Sequence, residues 1–167
     1  MRKIALAATV AALLVAGCAS QRAAETAPAP ATDTTAPQDQ AGPVPGSVED
    51  FRVSVGDRIF FALDQSSLST EARQILDRQA AWLRRYPNVR VLVAGNCDER
   101  GTREYNLALG ARRAAAARDY LVSLGIAAGR VETVSYGKER PLDPRSTEEA
   151  WAVNRNAHTQ IVSGAVS

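Results

Sequence analysis

The sequence predicts an α+β fold, a two-layer sandwich with its helices packed on one mixed sheet. Three observations lead there. Short β-branched runs alternate with long amphipathic stretches in the order βαβαββ, and the junctions carry a capping hydroxyl, a proline or a glycine. The chain is also 46% hydrophobic, enough for the segment 51–162 to bury one compact core.

Residues 53–61 read as the first strand, on the alternation of valines and aromatics. Ser69 then caps a helix whose Ile75, Gln79, Trp82, Leu83 and Tyr86 fall near one face, and Pro87 stops it. Residues 89–94 form the second strand. Thr102 caps a long helix over 103–124, ended by Gly125, and its Tyr120, Leu121, Leu124 and alanines supply a face for a sheet. Residues 131–136 are the third strand. Pro141 and Pro144 mark a loop, 147–153 a short helix, and 157–162 the last strand.

Ahead of this domain the chain has a different character. Arg2 and Lys3 precede an apolar run, 4–16, too short for a membrane span of about 20 residues but suited to a signal peptide. The run ends Leu14-Val15-Ala16-Gly17-Cys18, which resembles a bacterial lipobox, so 1–17 is expected to be cleaved and Cys18 acylated. Ala19 in place of aspartate favours the inner leaflet of an outer membrane, by analogy with such lipoproteins. Residues 19–50 are rich in Ala, Pro, Thr and Gln and hold five of the eight prolines, a composition that cannot build a core. The expected organisation is therefore a signal peptide (1–17), a lipidated tether (18–50), one domain (51–163) and a short tail (164–167).

Between the second strand and the long helix lies the densest chemistry, Gly95 to Arg113. Asp98 sits in the loop. Asn106, Leu109 and Arg113 follow i, i+3, i+7 spacing and share one helix face, while Arg112 points elsewhere. Helical side chains lean toward the N-terminus, so Arg113 reaches back toward the loop. Spacing leaves two arrangements open. Asp98 and Arg113 neutralise each other in a salt bridge, or they straddle a zwitterion, with Asp98 taking an ammonium and Arg113 a carboxylate.

Other function classes find little support. The single histidine, His158, lies in the last strand away from any nucleophile, Cys97 has no evident base, and no metal-ligand or cofactor signature appears, so no enzyme is expected. The formal net charge is only +2 and no row of aromatics accompanies Arg84-Arg85 or Arg112-Arg113, which argues against nucleic acid. Cys97 is expected to be a partly buried free thiol, since Cys18 is taken up by acylation.

The element order, the runs Asp98-Glu99-Arg100-Gly101-Thr102, Glu104-Tyr105-Asn106, Leu109-Gly110 and Arg112-Arg113-Ala114, and the later Ser135-Tyr136-Gly137-Lys138-Glu139-Arg140-Pro141 resemble the OmpA-like peptidoglycan-binding domains, most closely those of the peptidoglycan-associated lipoproteins of the Tol-Pal system. The resemblance covers 57–162. It implies noncovalent binding of peptidoglycan stem peptides through diaminopimelate, a zwitterion, and so favours the clamp reading of Asp98 and Arg113. It further implies that Asp64 contacts the ligand, that Leu109 lies on the groove wall and that Asn106 braces the site. Read from the residues alone, these three are a turn or capping carboxylate, a core leucine and a buried amide serving the loop. The resemblance also implies a competing partner, the periplasmic protein TolB, for which Glu99, Arg100, Arg103 and Tyr105 are the candidate contacts, and a role in tethering the outer membrane to the cell wall and in its constriction at division.

Two departures from the family pattern stand out. Asn96 occupies a position where relatives commonly carry histidine, followed by Cys97 in place of a small residue, and an asparagine amide can orient the loop without titrating. Asn154-Arg155-Asn156 replaces a usual double arginine, which puts a basic contact there in doubt.

Overall fold

The computed structural model describes residues 42–166. The expected signal peptide, Cys18 and the tether as far as residue 41 lie outside the described residues. In chain order the elements are α1 (Val48–Asp50), a π-helical turn (Phe51–Val55), β1 (Arg58–Phe60), α2 (Thr70–Arg85), β2 (Arg90–Asn96), α3 (Arg103–Ser123), a 3-10 turn (Ala128–Arg130), β3 (Val131–Gly137), α4 (Glu148–Asn154) and β4 (Asn156–Ser163). The four strands form one sheet in the order β1-β4-β2-β3. β2 and β3 run parallel, joined by α3 as their crossover, while β4 is antiparallel to both β1 and β2. The α+β sandwich on a mixed sheet is thus as the sequence predicts.

Local chemistry accounts for the helices. Ser69, Thr102 and Thr147 each accept the N–H three residues on, from Ala72 (3.1 Å), Tyr105 (3.2 Å) and Ala150 (3.3 Å). Gly125, at φ 91°, closes α3, and the Ile126 N–H bonds to the Leu121 carbonyl at 3.1 Å. Leu76, Ala80 and Leu83 of α2 and Ala114, Ala117 and Leu121 of α3 meet Ile59, Val91, Val93, Val131 and Ala157 of the sheet in one core. Polar groups inside it are paired: the Thr159 hydroxyl donates to Gln79 Oε1 (2.9 Å), and Gln79 Nε2 to the Gly56 carbonyl (2.7 Å).

The first strand departs from expectation. Residues 51–55 are helical, with an i to i+5 bond from the Gly56 N–H to the Phe51 carbonyl (3.1 Å), and only Arg58–Phe60 is extended. Phe51 and Val55, four apart, both turn into the core, whereas Val53 is 58% exposed. The alternation of Val53 and Val55 is therefore not the burial pattern. The Trp82 ring packs edge-on to Phe51 (5.0 Å between centroids), and its indole N–H donates to Asp50 Oδ2 (2.8 Å). The packed unit also reaches beyond 51–163 at both ends. The Val166 N–H donates to the Gly46 carbonyl (3.0 Å), and Ser47 pairs with Val166 in a parallel bridge.

Candidate ligand-binding site

Close packing of α3 on the sheet sets the site. A Cβ on Gly110 would sit 2.8 Å from the Gly95 carbonyl oxygen and collide with the Ser135 hydroxyl, so glycine at both positions lets the helix axis drop onto β2. The Ser135 hydroxyl donates to the Leu107 carbonyl at 2.7 Å and pins the next turn. Three residues beyond Gly110, Arg113 is carried under the end of β2.

Arg113 is 1% exposed, among the largest fully buried side chains. Its Nε donates to the Gln65 carbonyl (2.8 Å), Nη1 to Asn96 (2.9 Å) and Nη2 to Ala62 (3.2 Å), and its guanidinium lies 5.1 Å from the Phe61 ring centroid. Among the described residues no carboxylate comes within ion-pair distance of it. Burial pulls its pKa below the usual arginine value, while nearby Asp98 partly offsets this. The guanidinium uses one N–H of each nitrogen on a carbonyl, leaving two of its five for another acceptor.

Asp98 follows β2, whose ladder is prolonged by the Cys97 N–H donating to the Gly137 carbonyl (2.8 Å). Its carboxylate accepts from the Arg100 N–H (3.1 Å), Arg100 Nη2 (2.8 Å) and Arg155 Nη1 (3.2 Å). Burial pushes the Asp98 pKa up, but hydrogen bonds from Arg100 and Arg155 outweigh it and leave the carboxyl below its ordinary value. Asp98 and Arg113 therefore do not neutralise each other, and the internal salt bridge left open by the spacing does not form. Arg155 also donates from Nε to the Phe61 carbonyl (3.2 Å) and lies 3.5 Å from Glu148. The doubt about a basic contact in the Asn154-Arg155-Asn156 run is corrected: Arg155 is buried and lines the site, because antiparallel pairing of β4 with β2 places it beside Asp98.

The remaining expected residues converge on the same cavity of about 360 Å³, whose lining includes Asp64, Asp98, Asn106, Leu109 and Arg113. Asp64 is the one non-glycine residue at positive φ (58°) among the described residues, in a turn after β1, and accepts from the Tyr105 hydroxyl. It does not cap α2, which Ser69 does. Asn106 Nδ2 donates to the Arg100 (2.7 Å) and Thr102 (3.0 Å) carbonyls, so its amide holds the loop closed. Leu109 is buried and forms part of the wall. Lys138 adds a second brace, its ammonium donating to the Glu99 (3.0 Å) and Gly101 (2.7 Å) carbonyls. Asn96 is buried and donates to the Asn156 Oδ1 (2.9 Å) and Ala94 carbonyl (3.2 Å), so its amide ties β2 to β4 and makes no side-chain bond to the loop. Cys97 is a buried free thiol that donates to the Asn106 carbonyl (3.4 Å), and burial raises its pKa.

Of the four candidate contacts for a protein partner, Arg100 and Tyr105 line the cavity, while Glu99 and Arg103 lie outside its lining. Trp151 of α4 connects to two of them: its indole N–H donates to Glu99 Oε1 (3.0 Å), and Arg100 stacks 4.1 Å from its ring centroid. Arg103 pairs with Glu139 at 3.1 Å, and Tyr105 is largely exposed.

Comparison with known proteins gives consistent likenesses. The family model described as the OmpA family matches residues 60–155. A peptidoglycan-associated lipoprotein of Mesorhizobium japonicum is 51% identical, covering 96% of this chain and 92% of the relative, and one of Rhizobium meliloti is 48% identical, covering 96% and 88%. Among solved structures, the peptidoglycan-associated lipoprotein from Burkholderia pseudomallei is 40% identical with a TM-score of 0.61, covering 63% of this chain and 89% of that one. The C-terminal domain of Helicobacter pylori MotB, at 20% identity and a TM-score of 0.60, shares the fold.

Proposed function

The chain belongs to the OmpA family, alongside the peptidoglycan-associated lipoproteins, and from that premise we propose that its groove binds the diaminopimelate side chain of peptidoglycan stem peptides. The observation that carries this reading is Arg113, a buried guanidinium braced by three carbonyls, with no carboxylate of the described residues in ion-pair distance and N–H groups left for an anion. A ligand carboxylate in a forked contact supplies the missing counter-charge. Asp98, held ionised on the same cavity, takes the ligand ammonium, Leu109 and Asp64 complete the wall and rim, and Asn106 keeps the loop in shape.

The protein is a binding protein, not an enzyme, as its family membership indicates. In this reading Cys18 carries lipid in the inner leaflet of the outer membrane, the tether spans the gap and the domain grips the wall. A coil of the tether's length reaches about 30 Å, and many copies facing a dense polymer hold it through exchangeable bonds of modest strength. Within a Tol-Pal system the anchor serves envelope integrity and constriction at division.

One observation favours a second partner. Arg100 and Tyr105, two of the four candidate contacts, line the cavity, so a TolB-like protein seated on them would cover the groove and exclude peptidoglycan. The test is pull-down of the full chain on purified sacculi, with free diaminopimelate as competitor and Asp98→Asn as variant. Wild-type retention that diaminopimelate relieves and folded Asp98→Asn lacks supports the clamp; no wild-type retention would shift the function to the protein partner.

A further inference from the structure

We infer that the face of the sheet turned away from α2 and α3 carries a second ligand site, specific for an anion: a carboxylate or phosphate group borne on a small apolar body. The starting point is the Ser135 to Pro141 motif, only part of which serves the groove. Ser135 pins α3, Gly137 extends β2, Lys138 braces the loop and Glu139 pairs with Arg103. Tyr136 and Arg140 have no part in that. They line a separate cavity of about 250 Å³ with Arg58, His158, Gln160 and Leu142.

Strand alternation puts this cavity opposite the core. Ile59, Val91 and Val93 face the helices, so their neighbours Arg58 and Leu92, and the cross-strand partners His158 and Gln160, face the other way. No carboxylate lines the cavity. The Arg140 guanidinium lies over the Tyr136 ring, 3.7 Å from its centroid; among the described residues it has no ion pair. Arg58 is only loosely matched, at 3.4 Å from Asn156 Oδ1 and 3.9 Å from Asp57. Asp57 is the nearest carboxylate, and its better bond is to His158 Nε2 (3.0 Å). Glu132 pairs with Arg90. Two guanidiniums thus share one recess with only Asp57 beside them, a charge excess that a bound carboxylate or phosphate neutralises with forked hydrogen bonds. Pro141 and Leu142, the latter half exposed, give the anion's apolar body a wall. Burial first, then the positive field of Arg58, lowers the His158 pKa, while Asp57 opposes the shift.

His158 is the chain's single histidine and lines this cavity, so its ring protons report on it; it also lines an adjoining cavity that Arg140 does not, and the Arg140 variant tells the two apart. The full chain is titrated by proton NMR at constant ionic strength with inorganic phosphate in one arm and N-acetylalanine in the other. A saturable shift of the His158 ring signals, on the order of 1–10 mM, is expected from at least one anion, and the arm that saturates names the group preferred. It should weaken at least about tenfold in Arg140→Gln, whose exposed side chain leaves the fold intact, and in Arg58→Gln. It should persist in Asp98→Asn. No saturable shift with either anion, undiminished binding in both arginine variants, or loss in Asp98→Asn would overturn the second site, the last by placing the anion in the groove.

Discussion

Replacing Arg113 by alanine separates the fold from the ligand, because the guanidinium serves both. Three backbone carbonyls, of Ala62, Gln65 and Asn96, lose their donor. A stranded buried acceptor costs about 1–3 kcal/mol, and water entering from the adjoining cavity keeps each near the lower limit, so the fold should lose about 2–4 kcal/mol. That is a large share of the roughly 5–15 kcal/mol available to a domain and should lower Tm by roughly 10 °C. The charge-assisted contact to the ligand carboxylate is a further loss of about 1.5–3 kcal/mol, or about 10- to 150-fold in affinity. Thermal melting by circular dichroism measures the first quantity, and sacculus pull-down well below the variant's Tm the second. Arg113→Lys keeps the charge without the fork and should fall between wild type and Arg113→Ala in both. A variant that melts with the wild type would refute the bracing by carbonyls; a folded Arg113→Ala that still binds as wild type would refute the carboxylate seat.

Four more outcomes follow from named contacts. Because the Asp98 pKa is lowered, its ionised form persists above about 3.8, so sacculus binding should be flat from about pH 5 to 8 and fail only in stronger acid. His158 is also lowered, so its contribution to stability is full above about 6.5 and declines as pH falls through its folded value; His158→Gln should flatten the denaturation midpoint across that window. Gly110→Ala forces a methyl against Ser135 and the Gly95 carbonyl and should cost about 1–3 kcal/mol by urea denaturation, with weaker sacculus binding as α3 lifts. Cys97, buried and with a raised pKa, should alkylate slowly in folded Cys18→Ala protein and rapidly in denaturant, as followed by iodoacetamide labelling and mass spectrometry.

Local rules carry most of the fold. Ser69, Thr102, Thr147, Gly125 and Pro87 act within a few residues of their own position, so their elements read directly from sequence, and the 3.6-residue period puts Asn106, Leu109 and Arg113 on one buried face. The first strand fails for a physical reason: Val53, Val55 and Phe51 fit both a period of two and an i, i+4 pair, and only Trp82, some thirty residues on, decides for the helix. Arg155 escapes notice for a similar cause. Its role depends on β4 lying antiparallel to β2, so that Gly95 faces Ala157 and Arg155, two residues earlier, meets Asp98, a pairing no local signal encodes. Arg130, whose guanidinium donates to the Leu83, Tyr86 and Val89 carbonyls at 2.9 Å each, is another long-range brace of the same kind.

The two arginines on Asp98 are unequal, and the inequality explains how one carboxylate can hold the fold and still receive a ligand. Arg155 has a side chain 9% exposed, tied to the Phe61 carbonyl as well as to Asp98. Removing one partner of that pair would leave the other's charge uncompensated in the interior, a loss of about 3–5 kcal/mol. Arg100 has a side chain 34% exposed, lies over Trp151 and has Glu148 3.7 Å away as a second partner. It bonds Asp98 more closely than Arg155 does, at 2.8 Å against 3.2 Å, but its guanidinium is the more exposed of the two and has other partners to turn to. In the proposed clamp an incoming ammonium would displace Arg100, which has its aromatic platform and Glu148 to hold it, while Arg155 would go on fixing the carboxylate. The exposed arginine is the exchangeable one and the buried arginine the fixed one.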